Sequence, residues 1–134
     1  MGEFAGYDMP LYYGEGVIKE HEWTRSHAGL FDVSHMGQVM LTGPGACRFW
    51  EKFTPSSFSK IPDGRAKYTV LTNAQGGTID DLIVTRLGPE QFFAVINAGR
   101  KDVDIAWLKK NLPADVTMDL WAERGLIALQ GPAA

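Results

Sequence analysis

The sequence predicts an α+β domain: a mostly antiparallel sheet with three helices. Two observations carry this. Several β-type runs are joined by hairpin-length turns, and helical apolar periodicity is confined to three stretches. Tyr7 to Gly14, with Pro10, Tyr12 and Tyr13, reads as an extended lead-in. From Glu15 to Ala28, the positions Val17, Ile18, His21, Thr24 and Ala28 recur at helical spacing, and Gly29 supplies a stop. Leu30 to Thr42 reads as a strand, interrupted at Gly37 by a bulge or a close backbone approach. Gly43-Pro44-Gly45 is a turn, and a short helix to about Phe53 buries Cys47 or Phe49, Trp50 and Phe53. Thr54 to Ala66, with two prolines and Asp63-Gly64, is loop.

The second half continues the pattern. Lys67–Thr72, Thr78–Leu87 and Gln91–Ile96 are strands joined at Asn73–Gly77 and Gly88–Glu90, an antiparallel meander. Asp102 to Leu112 is an amphipathic helix with Val103, Ala106, Trp107 and the stem of Lys110 on its apolar side, and Pro113 lies just past its end. Val116–Trp121 and Leu126–Gln130 are two last strands around Glu123-Arg124-Gly125. Gly131-Pro132 then opens a turn that normally introduces another element, so the chain reads as cut short.

Composition narrows the function classes. At 134 residues with 45% hydrophobic content, the chain is one domain able to bury about two-thirds of its unfolded surface. A net charge of −3 gives no electrostatic reason to expect nucleic acid. The single cysteine, Cys47, cannot form an internal disulfide, and a reducing compartment is expected: cytoplasm, or mitochondrial matrix in a eukaryote. No apolar run reaches the roughly 18 residues that span a bilayer, and no membrane partner is expected.

Among candidate chemistries, Asp80-Asp81 is the most unusual feature: two adjacent carboxylates open the apolar strand Leu82-Ile83-Val84. Side chains alternate along a strand, so the two do not share a face and do not form a general acid–base pair on one atom. Two readings stand open. One has an aspartate capping the Gly76-Gly77 turn. The other has a single carboxylate accepting a hydrogen bond from a substrate nitrogen and taking its proton as that nitrogen reacts. Asp32-Val33-Ser34-His35 is not a triad, because consecutive strand residues cannot converge on one proton path. His21 and His27 lie off a common helix face, Cys47 has no cysteine partner, and no metal site is expected. Tyr68, Met36 and the tryptophans are available to wall a flat ligand, or are simply packing.

Five segments resemble the aminomethyltransferase family, the T-proteins of the glycine cleavage system. In family order they are Phe4-Ala5-Gly6-Tyr7-Asp8-Met9-Pro10, His27 to Gly37 around Asp32-Val33-Ser34-His35-Met36, Thr72 to Val84 around Asp80-Asp81, Asn97-Ala98-Gly99, and Ala128-Leu129-Gln130-Gly131-Pro132. The resemblance spans nearly the whole chain. It implies that residues 1–134 are the N-terminal part of a folate-binding aminomethyltransferase domain, with the remaining domains absent.

The activity it implies is transfer of a one-carbon unit from the aminomethyl-lipoyl arm of H-protein to tetrahydrofolate, with release of ammonia. By motif match, Asp81 would sit beside the folate N10 and raise its nucleophilicity. Met36 would pack on the ring system, Tyr68 would form an apolar or aromatic wall, and Asn97 would hydrogen-bond the folate. Further ligands belong to absent segments, so the chain alone is expected to bind folate weakly or not at all and to be inactive. Three alternatives remain. One is the related folate module of dimethylglycine and sarcosine dehydrogenases, and another is a non-catalytic folate-binding or interaction module. The third is the folate-binding paralogue that supports iron–sulfur cluster assembly, ranked lower because it generally lacks the Asp32-Val33-Ser34-His35-Met36 type of stretch.

Overall fold

The computed structural model describes all residues, Met1–Ala134. They form two compact units: Met1–His35 with Glu123–Ala134, and Met36–Ala122.

In the first unit the expected extended lead-in contains a hairpin, β1 (Gly2–Phe4) with β2 (Tyr7–Met9). Ala5 and Gly6 turn the chain with φ of 51° and 82°, the left-handed pair of a two-residue hairpin loop. Helix α1 spans Val17–Ser26, shorter than the sequence periodicity suggests, and buries no residue. Val17 and Ile18, which recur at helical spacing, are exposed. Nor does Gly29 end the helix. The His27 amide donates to the Trp23 carbonyl (2.7 Å). The Trp23 indole stacks on the His27 ring at 4.1 Å and donates from Nε1 to the Ala28 carbonyl (3.0 Å). The first bond closes the last turn of the helix, and the second ties its Trp23 to the chain that leaves it.

Gly29 instead begins β3 (Gly29–Asp32), which pairs antiparallel with β9 (Ile127–Gln130) from Gly29↔Gln130 to Asp32↔Ile127. The single strand expected over Leu30–Thr42 is therefore two strands in two sheets, broken by the turn after Asp32. The Asp32 carboxylate accepts the Ser34 amide (2.9 Å), a local bond that competes with continued strand pairing.

The second unit is a five-stranded antiparallel sheet in the order β5-β6-β7-β4-β8. Its strands are β4 (Gly37–Thr42), β5 (Arg65–Thr72), β6 (Thr78–Gly88), β7 (Gln91–Ile96) and β8 (Thr117–Leu120). The expected meander is β5-β6-β7. The two last strands are not partners of one another, since β8 pairs with β4 and β9 with β3. Alternation along β6 puts Leu82 and Val84 inward with Leu41, Phe92 and Ile96.

Two helices close this core: α2 (Ala46–Phe53), through Phe49 and Trp50, and α3 (Lys101–Asn111), through Leu108. Phe53 and Cys47 are only half-buried. Helix α3 is rotated from its expected face. Asp104 and Leu108 are buried, Ile105 packs at the margin, and Val103 and Ala106 face out.

The loop after α2 contains a single 3-10 turn, Phe58–Lys60. Arg86 pins it, donating to Asp63 (2.7 Å) and to the carbonyls of Phe58 and Ser59 (both 3.1 Å). Glu51 accepts the Ser59 amide and hydroxyl (2.8 and 2.7 Å), and these bonds hold its carboxyl below the ordinary carboxylate range. Gly37 does reflect a close backbone approach, since a Cβ there would meet Ile96 Cγ1 at 2.5 Å.

Candidate functional site

The turn between β5 and β6 is capped by neither aspartate. Asn73 Oδ1 accepts the amides of Gln75 (3.0 Å) and Gly77 (2.9 Å), which leaves Asp80 and Asp81 free for other partners. In the β5–β6 ladder Val70 faces Asp81 and Leu71 faces Asp80. Asp80 therefore shares the core side of β6 with Leu82 and Val84. Asp81 shares the opposite face with Ile83, which is solvent-exposed. The two side chains leave β6 on opposite faces, as alternation requires, yet one oxygen of each comes within reach of a single nitrogen of Asn97.

On the exposed face Asp81 is held from two sides. Tyr68, diagonal to it across the ladder, donates its hydroxyl to Asp81 Oδ2 (2.9 Å). That bond and the carboxylate's charge push the phenol above its ordinary value. Asn97, just past the end of β7, donates from Nδ2 to Asp81 Oδ1 (3.1 Å), to the Asp81 carbonyl (3.0 Å) and to Asp80 Oδ2 (3.2 Å). Two N–H hydrogens serve three acceptors, all from Asp80 and Asp81. The reverse amide orientation would set its oxygen against two carboxylates.

Both Asp81 oxygens accept one bond, and each keeps a lone pair for a donor arriving on the open side. The Tyr68 ring, 64% exposed, lies beside them as an unfilled apolar surface. Met36 enters through register. Gly37 pairs with Ile96, and Ile96 with Leu82, so Met36 just precedes this row ahead of β4, Asn97 just follows it past β7 and Asp81 adjoins it on β6. Met36 is half-buried there. The structure thus ties Tyr68, Asp81 and Asn97 into one hydrogen-bonded group, and Met36 stands one residue before β4.

Of the tryptophans, Trp50 is buried, and Trp121 stacks on Phe93 at 5.3 Å. The Trp121 indole donates to the Asp119 carboxylate (2.8 Å). Asp32, Ser34 and His35 form no catalytic relay. Ser34 Oγ accepts the Leu126 amide (2.9 Å), and the His35 ring meets Phe4 and Tyr7 edge-on at 5.8 and 6.1 Å. No group of three or more His, Cys, Asp or Glu residues is placed to hold a metal ion.

Sequence reasoning missed Asp104. It lies on the inner face of α3, 1% exposed, against Asp80. Burial first, then the neighbouring Asp80, raises its carboxyl to about 7, while Arg100 opposes the rise. The signal was present in the spacing: Asp104, Ile105 and Leu108 form a helical face as regular as the one built on Val103 and Ala106.

Comparison with known proteins bears on the family of the chain. The family described as the GCVT N-terminal domain matches residues 1–134. An aminomethyltransferase of Geobacillus kaustophilus is 41% identical over 133 residues, covering 98% of this chain and 36% of that protein. One from Bdellovibrio bacteriovorus is 47% identical over 138 residues, covering 100% of this chain and 37% of that protein. Among solved structures, the glycine cleavage system aminomethyltransferase T from Bartonella henselae superposes with a TM-score of 0.90 at 43% identity, covering 98% of this chain and 37% of that one. The chain thus spans a little over a third of the length of these relatives. With the family matched along its whole length and the α+β fold shared with a solved relative, the chain belongs to the GCVT N-terminal domain family.

Proposed function

We propose that this chain supplies the carboxylate-bearing part of a tetrahydrofolate-dependent aminomethyltransferase, with Asp81 as its catalytic residue. One observation carries the reading: the Asp81 carboxylate is fixed by Tyr68 and Asn97 on the open face of a sheet, with lone pairs left over. A carboxylate so held can accept an N–H from an incoming amine, orient its lone pair and draw the proton as the nitrogen forms its new bond.

In the proposed reaction the methylene carbon of an aminomethyl-lipoyl group becomes bonded to two folate nitrogens. Its bonds to nitrogen and sulfur break. The two folate N–H hydrogens leave with the products, one in ammonia and one on the lipoyl thiol. Asp81 would orient N10 for its attack. Tyr68 offers a ring face to a flat pterin or aminobenzoyl group, Met36 a polarizable edge, and Asn97 holds the carboxylate or meets the folate directly.

The lipoylated H-protein is the donor in this reading, and the bacterial relatives support a cytoplasmic setting. Those relatives are named as aminomethyltransferases, which favours this reaction over a dehydrogenase-linked folate module. The test is Asp81→Asn in the enzyme that carries this chain, assayed for ammonia release with lipoylated carrier and tetrahydrofolate. We expect a loss of at least about tenfold, the scale of general acid–base assistance. Unchanged turnover would remove Asp81 from the mechanism.

A further inference from the structure

Behind Asp81 the core side of β6 holds an unresolved charge problem. Asp104 is 1% exposed, and neither of its carboxyl oxygens meets an N–H or O–H donor. A buried carboxyl without a donor is costly. The group within hydrogen-bonding reach is a second carboxyl, Asp80. Two carboxylates cannot satisfy each other, because both only accept. A carboxylic acid and a carboxylate can, because one then donates.

Asp80 in turn accepts from the same Asn97 nitrogen that holds Asp81. The geometry points to Asp104 as a positioning residue: it shares one proton with Asp80, and the pair orients the Asn97 amide that grips the Asp81 carboxylate. This deepens the proposed function and rests on Asp81 being the working group.

The charged and titratable groups around the pair are few. Asp80 and Asp81 face it from β6, and Arg100 from the turn that precedes α3. Tyr68 donates to Asp81 and feels the charge of Asp80 as well. Arg100 is exposed and already donates to the Ile79 carbonyl (3.3 Å), so it does not neutralise a second buried charge.

With the proton in place the pair carries one charge, and Asp80 remains an acceptor for Asn97. With the proton lost, two like charges face each other beside Leu108 and Ile105, and they must separate. Asp80 then draws away from Asn97, and the amide loses the contact that holds it toward β6. Chain order agrees with such a coupling. Asn97 and Asp104 are joined by a single tight turn, Ala98–Arg100, closed by the Arg100 amide donating to the Asn97 carbonyl (3.1 Å).

The test is an NMR titration of this chain, following the Asn97 side-chain amide and the Asp104 carboxyl carbon. In the unsubstituted chain both should move together with a midpoint near 7. In Asp104→Asn, whose amide still donates to Asp80, the Asn97 signal should no longer titrate there. In Asp80→Asn the same midpoint should vanish from Asn97. The inference is overturned if Asp104 titrates in the ordinary carboxylate range near 4, or if the Asn97 amide ignores the Asp104 step. It is overturned equally if the amide's titration survives both substitutions. The unsubstituted chain alone decides the first two outcomes, whatever the variants do to folding.

A second arm uses the enzyme that carries this chain. There Asp104→Asn should abolish an alkaline fall in kcat centred near 7 without a matching change in the KM for tetrahydrofolate, and a KM change alone would count against the inference. The two readings fail separately. If Asp81→Asn leaves turnover intact while the Asn97–Asp104 coupling is observed, the proposed function falls and the coupling stands.

Discussion

Replacing Asp104 by Asn should stabilise the chain increasingly as pH rises. Asp104 is 1% exposed, and its carboxyl is raised from an ordinary 3.8 to about 7, first by burial and then by Asp80. A raised carboxyl binds its proton more tightly in the folded chain than in the unfolded one. Between those two values the folded state holds more protons, so stability falls with rising pH. The favourable contribution is complete below about 3.8 and gone above about 7. At about 1.4 kcal/mol per pH unit the ceiling is about 4 kcal/mol, of which about 3 accrues between about pH 4.5 and about pH 8.5.

Asparagine keeps the shape and a donor toward Asp80 but carries no charge, so it escapes this loss. The comparison is urea or thermal unfolding of both chains across that range. The difference should grow toward alkaline pH and reach roughly 10 °C in Tm. Titrating groups that do not interact with Asp104 cancel in the difference. A gap that is flat with pH, or that widens toward acid, would refute the argument. Either result would mean that Asp104 is not held protonated by its surroundings.

Three other outcomes follow from the same geometry. Tyr68→Phe removes one of two donors to Asp81 while keeping the ring. In the enzyme carrying this chain it should lower turnover about three- to tenfold, and because Tyr68 is exposed it should leave the unfolding midpoint nearly unmoved. Phe92→Ala empties the centre of the five-stranded unit, where Phe92 is fully buried against Phe58, and should cost about 3–5 kcal/mol by denaturant unfolding. Titration calorimetry of the chain alone with tetrahydrofolate should show weak binding or none, because an open sheet face covers one side of a ligand that a formed pocket would largely enclose. A micromolar Kd would contradict this.

Much of the second unit was legible before its coordinates. The β5-β6-β7 meander follows from alternation and turn chemistry, both of which act between residues a few positions apart. That Asp80 and Asp81 leave β6 on opposite faces follows from the two-residue period of a strand. The choice of Asp81, Tyr68, Asn97 and Met36 as the functional set came from family resemblance.

Where local patterns conflicted, the sequence misled. The rotation of α3 is one case. Val103 and Ala106 looked like part of the apolar side beside Trp107, yet both face out; Trp107 packs at the core margin, and Asp104 and Leu108 are the buried positions. Helix propensity and periodicity do not choose between two plausible faces, but the sheet beneath does. The broken strand at Asp32 is another, because the competing partner, β9, lies almost a hundred residues away.

Local chemistry therefore determined which segments are strands, helices and turns, and that the two aspartates point to opposite sides of β6. Only the folded chain decided which strands are neighbours, which face of α3 turns inward, and that Asp104 comes to rest against Asp80 behind the amide that holds Asp81. The physical reason is range. Backbone alternation and capping are settled within a few residues, whereas a shared proton needs two carboxyls from distant segments to be desolvated together, and only tertiary packing does that.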